Sequence, residues 1–312
     1  MTKADLMHMH MPPFARIQWA DPAYEAVWGP RINRISQAFH RLELLSVAAG
    51  LRRVATAHFR PEDLPRGVME LARMGLSYLP LRQVGAYTGF AHYHPPVEPG
   101  KPWTYYGVVG RPEDLAAFAE ATDRGDHSAL GELLGYPACC RAFFSEVWTA
   151  GFVDPVWHAA QNALLEGAEV VEEGPRLLHL KGHYPEVLPV LRYIGVRLVP
   201  HIPHSLRCEA SRRMAQDWMA LAREEGLGEE VDWAYEMLGW AMEWSVLHGI
   251  AEVRTPYFKI ATNSIASKEK WTVRLEGNVP EDAPRGLSYP YRVPRKTLTN
   301  HPAFIEVENW AR

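Results

Sequence analysis

The sequence predicts an α+β fold, helix-rich, with small antiparallel or mixed sheets. Three observations carry this. Apolar residues recur at three- and four-residue steps in several long segments, as one buried helix face requires. Between them lie short runs of β-forming residues bounded by Gly and Pro, such as Trp103 to Val109 (WTYYGVV). These runs do not alternate with helices in a βαβαβ series, and neither a GxGxxG nor a GxxxxGK nucleotide loop is present.

From Arg31 to Ala49, Ile32, Ile35, Phe39, Leu42, Leu45 and Ala49 define an amphipathic helix with Gly50 as its stop. A second helix follows Asp63-Leu64-Pro65 through Met74. Leu76 to Val109 reads as strands and loops, with HPPVEPGKP an irregular connection. Pro112-Glu113-Asp114 opens a helix through Ala121. After GYPACC, Phe143, Phe144, Val147 and Trp148 continue a helical pattern to Gly151. EVVEEGPRLLHLKG reads as a hairpin, PEVLPVLRYIG as a short helix and VRLVPHIP as a strand. A long helix is expected from Ser205 to about Glu225, with Leu206, Ala210, Met214, Trp218 and Leu221 on one face, and another from Glu229 to about Leu247. IAEVRTPYFKI and WTVRLEG return to strands. The Pro-rich last thirty-odd residues, with basic YRVPRK, read as a tail packed over the surface.

The 312 residues exceed the usual size of one domain. The expected division is a helical and strand unit over 1–125 and a cysteine-containing α+β unit with its tail over 126–312, or one continuous domain. A hydrophobic content of 47% supplies a large core. A net charge of −4 argues against a dedicated DNA-binding protein, which carries a basic excess to displace counterions. The N-terminal stretch lacks the apolar core of a signal peptide, and no run approaches the ~18 apolar residues of a membrane span. Three cysteines form no disulfide framework, so the chain reads as cytoplasmic with reduced thiols and no membrane partner. Its 11 Trp, 13 Tyr and 14 His suit a pocket lining, or simply an aromatic core.

The chemistry concentrates in the thiols. Pro137 suits the first position of a helix, which puts Cys139 and Cys140 in the first turn. Ser205 suits the N-cap of the later helix, which puts Cys208 in its first turn. Free N–H groups and the helix dipole there favour thiolate over thiol, lowering the pKa from about 8.5. His201 and His204 precede Cys208. Three soft thiolates with one or two imidazoles suit an iron–sulfur cluster or Zn²⁺. Against this, an isolated free cysteine is ordinarily a core residue; the vicinal pair and its match in context with Cys208 favour a site.

GYPACCRAFF and HIPHSLRCEAS resemble two blocks of an uncharacterised prokaryotic protein family with GYPxCCxxFF and HxPCSxxC segments. The resemblance spans barely twenty residues. It implies a four-ligand site of Cys139, Cys140, position 204 and Cys208. The family's cysteine is replaced here by His204, which either ligates or leaves a position open.

Other groups have structural alternatives. His92 and His94 share one side of an extended segment, as paired ligands or solvated loop residues. Trp233, Met237, Trp240, Trp244 and His248 form a helical stripe, either core or a pocket wall tipped by His248. Glu236 and Glu243 read as a solvated edge. Arg207, Arg212 and Arg213, with Arg254 and Lys259, suit either an anion clamp or surface ion pairs.

The function expected is a metal-dependent, iron–sulfur (4Fe-4S) enzyme acting on a small anionic substrate by sulfur transfer or lyase/dehydratase chemistry, with redox chemistry next. Cys139, Cys140, Cys208 and His204 would hold the cofactor, and His201, His248 and Arg207 would handle protons and substrate. Two alternatives are a zinc-stabilised binding or scaffold protein, and an RNA-modifying enzyme that uses the basic tail.

Overall fold

The computed structural model describes residues 15–85, 95–149, 155–247, 249–263 and 270–283. His92, His94, His248 and the C-terminal tail lie outside the described residues.

Two sheets organise the described residues. Strands β1 (Ala15–Trp19), β5 (Glu169–Gly174), β6 (Leu177–Lys181), β7 (Met242–Leu247), β8 (Ile250–Arg254), β9 (Phe258–Thr262) and β10 (Trp271–Leu275) form one, in the order β1-β9-β8-β7-β10-β6-β5. Every pair is antiparallel except β10 with β6. The other is antiparallel, with β4 (Trp103–Gly110) between β2 (Val54–Phe59) and β3 (Ser77–Gly85). The mixed α+β class holds, but with 44% helix and 25% strand among the described residues the fold is not clearly helix-rich. Short strands such as β1 and β2 lack a run long enough to stand out in the sequence.

Helix α1 (Pro22–Ala48) runs through Pro30 and so begins nine residues before the Arg31 expected from the sequence. Asp21 caps it by accepting from Ala23 N–H at 2.8 Å. Its apolar face (Trp28, Ile32, Ile35, Phe39, Leu42) enters the main core against the seven-stranded sheet, and Val47 near its end enters a second cluster under the small sheet. Helices α2 (Leu64–Arg73) and α1 cover one face of that sheet, with Val47, Leu71 and Leu76 against Ala55 and Val109. Helices α3 (Pro112–Asp123) and α4 (His127–Leu133) cover the other, with Leu115, Phe118 and Leu133 against Val54 and Val108. Adjacent strand residues thus point to opposite layers, as the pleat dictates.

Helices α5 (Ala138–Thr149), α6 (Val156–Leu165), α7 (Glu209–Glu224) and α8 (Gly228–Leu238) complete the described helices. The long helix expected over 229–247 is instead α8 followed by β7. A Trp, Met and Trp spacing of three and four fits a helix face, yet Gly239 ends α8 and Trp244 sits mid-strand. Trp240 and Trp244 are fully buried, with Trp240 edge-on to Trp28 at 4.8 Å and to Tyr257 at 5.1 Å. The aromatic stripe is core, not a pocket wall. Glu243 is no solvated edge either: it is buried on β7 and held by Arg254 Nη1 at 2.9 Å and Arg274 Nε at 2.7 Å.

PEVLPVLRYIG forms two short 3-10 turns, Pro185–Val187 and Arg192–Ile194. VRLVPHIP is irregular, since Pro200 and Pro203 cannot donate to a sheet ladder. That irregular segment leads to the thiol cluster.

Candidate metal centre

Three pieces of chain meet at the cysteines. The first is the start of α5. Gly135 takes φ +76°, turning the chain out of α4, and Pro137 C=O accepts from Cys140 and Arg141 N–H at 3.0 Å each. Pro137 therefore stands one residue before the helix, and Cys139 and Cys140 occupy its first turn. The second piece is the loop 201–208. Leu206 N–H donates to Ala159 C=O at 3.1 Å, and Asn162 Nδ2 donates to His204 C=O at 2.8 Å, so α6 fixes the loop.

The third is the start of α7, which corrects the sequence reading. Ser205 closes a tight turn, accepting from Arg207 N–H through Oγ at 3.0 Å and from Cys208 N–H through its C=O at 3.1 Å. Helix α7 begins only at Glu209. Cys208 is itself the N-cap, its Sγ accepting from Ser211 N–H at 3.4 Å. A thiolate can fill the role usually taken by a Ser or Asp oxygen.

These pieces bring Cys139, Cys140, His204 and Cys208 together, with one donor atom of each within 4.8 Å of all the others. The Sγ–Sγ separations are 4.0 Å for Cys139–Cys140, 3.8 Å for Cys139–Cys208 and 3.7 Å for Cys140–Cys208. Cys140 Sγ lies 3.6 Å from His204 Nδ1. A tetrahedral ion with metal–sulfur bonds of about 2.3 Å spaces its sulfurs about 3.8 Å apart. The donor set fits a metal ion. Cys140 and Cys208 are buried, and Cys139 is exposed.

A second layer orients these donors. Glu166 Oε1 holds His204 Nε2 at 2.9 Å, which turns Nδ1 toward the thiols. This is the carboxylate–histidine pairing that fixes the tautomer of a metal-binding imidazole. Ser211, fully buried, places Oγ 3.2 Å from Cys208 Sγ, 3.3 Å from Cys140 Sγ and 2.8 Å from His201 Nε2. Neither Glu166 nor Ser211 carries a sequence signal beyond being polar at those positions.

The metal-free protonation pattern is uneven. Hydrogen bonds from Cys140, and then from His204 and Ser211, hold the Cys208 thiol well below the ordinary range. Cys140 is pushed up because it donates its proton to Cys208 and is buried. Burial, then the Cys208 charge, raises Cys139. The hydrogen bond to Cys208 raises His204, with Glu166 assisting. Helix starts alone therefore do not lower all three thiols; one thiolate is shared among three donors.

A cleft of about 710 Å³ opens beside the cluster, between the small sheet with its helices and the loop 197–202, and Cys140 and His201 lie on its wall. Arg207 does not line it. Its Nη1 donates to Gly182 C=O, and its guanidinium stacks on Tyr184 at 4.9 Å. Arg212 pairs with Glu186 at 2.9 Å and Lys259 with Glu252 at 3.1 Å, so these cations serve ion pairs. No described helix is long and apolar enough to cross a membrane.

The chain matches no protein-family model, no curated protein and no solved structure.

Proposed function

We propose that this is a metalloprotein in which Cys139, Cys140, His204 and Cys208 bind a single tetrahedral ion of the zinc class. The observation that carries the reading is the set of sulfur separations between 3.7 and 4.0 Å. They suit one ion, whereas a cubane spreads its thiolates over separate irons and needs them farther apart. The Glu166–His204 pair supports imidazole ligation at the position where the resemblance implied a cysteine. Four protein donors close the coordination sphere, so the ion's part is structural: it fastens the start of α5 to the N-cap of α7 and shapes the cleft wall.

A second reading keeps the metal in a reaction on a small anionic substrate. It is favoured by Cys140 lying on the cleft wall and by the exposure of Cys139. In that case His204 would yield its place to substrate.

Cobalt tests the proposal and separates the two readings. One equivalent of Co²⁺ added anaerobically to metal-free protein should give the visible bands of a tetrahedral sulfur-rich site, and one equivalent of Zn²⁺ should abolish them. Spectra of octahedral cobalt, or bands that survive in Cys208→Ala, would defeat it. Azide shifts the bands only if a coordination position opens.

A further inference from the structure

The cleft beside the thiol centre has walls of two kinds. Leu44, Phe59, Phe118, Leu130 and Phe144 give it an apolar body. Its charged lining is Arg41, Arg141 and Arg197 against one carboxylate, Glu43. Glu43 is already answered: it is buried, with Arg52 Nη2 at 3.8 Å, Arg197 Nη2 at 3.9 Å and His40 Nδ1 at 3.5 Å. A cationic excess therefore faces a mostly apolar space.

Two of these guanidinium groups carry an unanswered donor. The Nε atoms of Arg141 and Arg197 are buried and have no hydrogen-bond partner among the described residues. Arg141 spends its Nη1 on Glu132 at 2.7 Å and on Ser128 C=O at 3.3 Å, so its fork is pinned while Nε stays unused. Arg197 is held by stacking on Phe39 at 4.4 Å and by its long contact to Glu43. Arg41, exposed on α1, has no ion pair among the described residues. Those two Nε atoms are enclosed, so what the cleft presents to an incoming acceptor is the positive charge of three guanidinium groups against one neutralised carboxylate, in an apolar surround where a charge-assisted bond is strong.

We infer that this cleft is a binding site for a small amphipathic organic anion, a carboxylate on an aromatic or otherwise apolar body. The carboxylate meets Arg141 and Arg197, and the body lies against Phe59, Phe118 and Phe144. An apolar body is required because the walls offer it most of the contact area, and a compact inorganic anion would leave them wet. The bound molecule is asked to touch no ligand atom of the thiol centre, so its affinity is read separately from the metal content.

The full chain, with its metal content measured alongside, is titrated with 2-naphthoate, 2-naphthamide and inorganic phosphate by calorimetry and ligand-observed NMR. Saturable binding of naphthoate about tenfold or more tighter than the amide is expected, because only the acid supplies a charge-assisted acceptor. Arg141→Gln should weaken naphthoate by about tenfold and leave the amide unchanged. Arg197→Gln should weaken naphthoate likewise, and should it fail to fold, the acid–amide comparison on the unaltered chain still decides. Equal affinity for acid and amide, no binding of either, or phosphate binding as tightly as naphthoate would each overturn the inference. Naphthoate binding by a chain found to take up no metal would leave this inference standing and count against the metal reading alone.

Discussion

Ser211→Ala is the substitution that probes the thiol centre most selectively, since the residue ligates nothing yet contacts two of the thiols and His201. The change removes an oxygen that lies 3.2 Å from Cys208 Sγ, 3.3 Å from Cys140 Sγ and 2.8 Å from His201 Nε2. Ser211 N–H stays in place, so the cap on Cys208 survives. With Cys208 as thiolate, the hydroxyl donates to sulfur and His201 Nε2–H donates to the hydroxyl. Losing the first bond costs a charge-assisted interaction, about 1.5–3 kcal/mol. It should weaken zinc binding about 10- to 100-fold, as for other groups that support metal ligands. Losing the second strands a buried imidazole N–H, about 1–3 kcal/mol of folding stability. The two effects separate by assay: chelator competition reads the first, and urea unfolding of the zinc-loaded protein reads the second. Adding His201→Phe should recover part of the stability and none of the affinity. An affinity for zinc within about twofold of the unaltered chain would refute the argument that Ser211 supports the ligands.

Three further outcomes follow from the same structure. Because Cys139 and Cys140 are raised while Cys208 is already a thiolate, zinc binding at pH 7 should release about two thiol protons, plus the fraction carried by His204. Calorimetry in buffers of different ionisation enthalpy measures this, and a release below one proton would contradict the shared-thiolate pattern. Burial lowers His183 to about 4 from 6.5, so its stabilising effect is complete above pH 6.5 and is lost as pH falls toward 4. The loss is about 3 kcal/mol in urea unfolding, and His183→Gln should remove that part of the slope. Gly135→Ala forces a side chain into φ +76° with its Cβ 2.8 Å from Arg52 Cβ, and should lower stability by about 1–3 kcal/mol and loosen the start of α5. An unchanged unfolding midpoint would show that the turn does not need glycine.

The sequence made the thiol cluster legible because helix-start residues, a vicinal cysteine pair and a histidine four residues before Cys208 are local signals. Their convergence is what the structure adds, and it depends on Cys208 reaching Cys139 and Cys140 across 69 and 68 positions respectively. Ser211 and Glu166 were invisible because a serine in a helical turn and a glutamate after a helix look like any others. The helix start was misplaced by three residues because Ser205 is the better N-cap by residue type, while a thiolate took that role at Cys208. The Trp240–Trp244 spacing misled for a different reason: large aromatics in a well-packed core satisfy a helical period by chance, and Gly239 was too weak a stop to signal the change to β7. Strand pairing such as β1 with β9 is set by distant partners and leaves no mark on the five residues of β1.

The most direct measurement is elemental and acid-labile sulfide analysis of protein purified without oxygen, with its ultraviolet–visible spectrum. One zinc-class ion per chain, no sulfide and no visible colour are expected, with the ion lost in Cys208→Ala. Several irons with matching sulfide and a brown spectrum, or no metal at all, would contradict the proposed single-ion site.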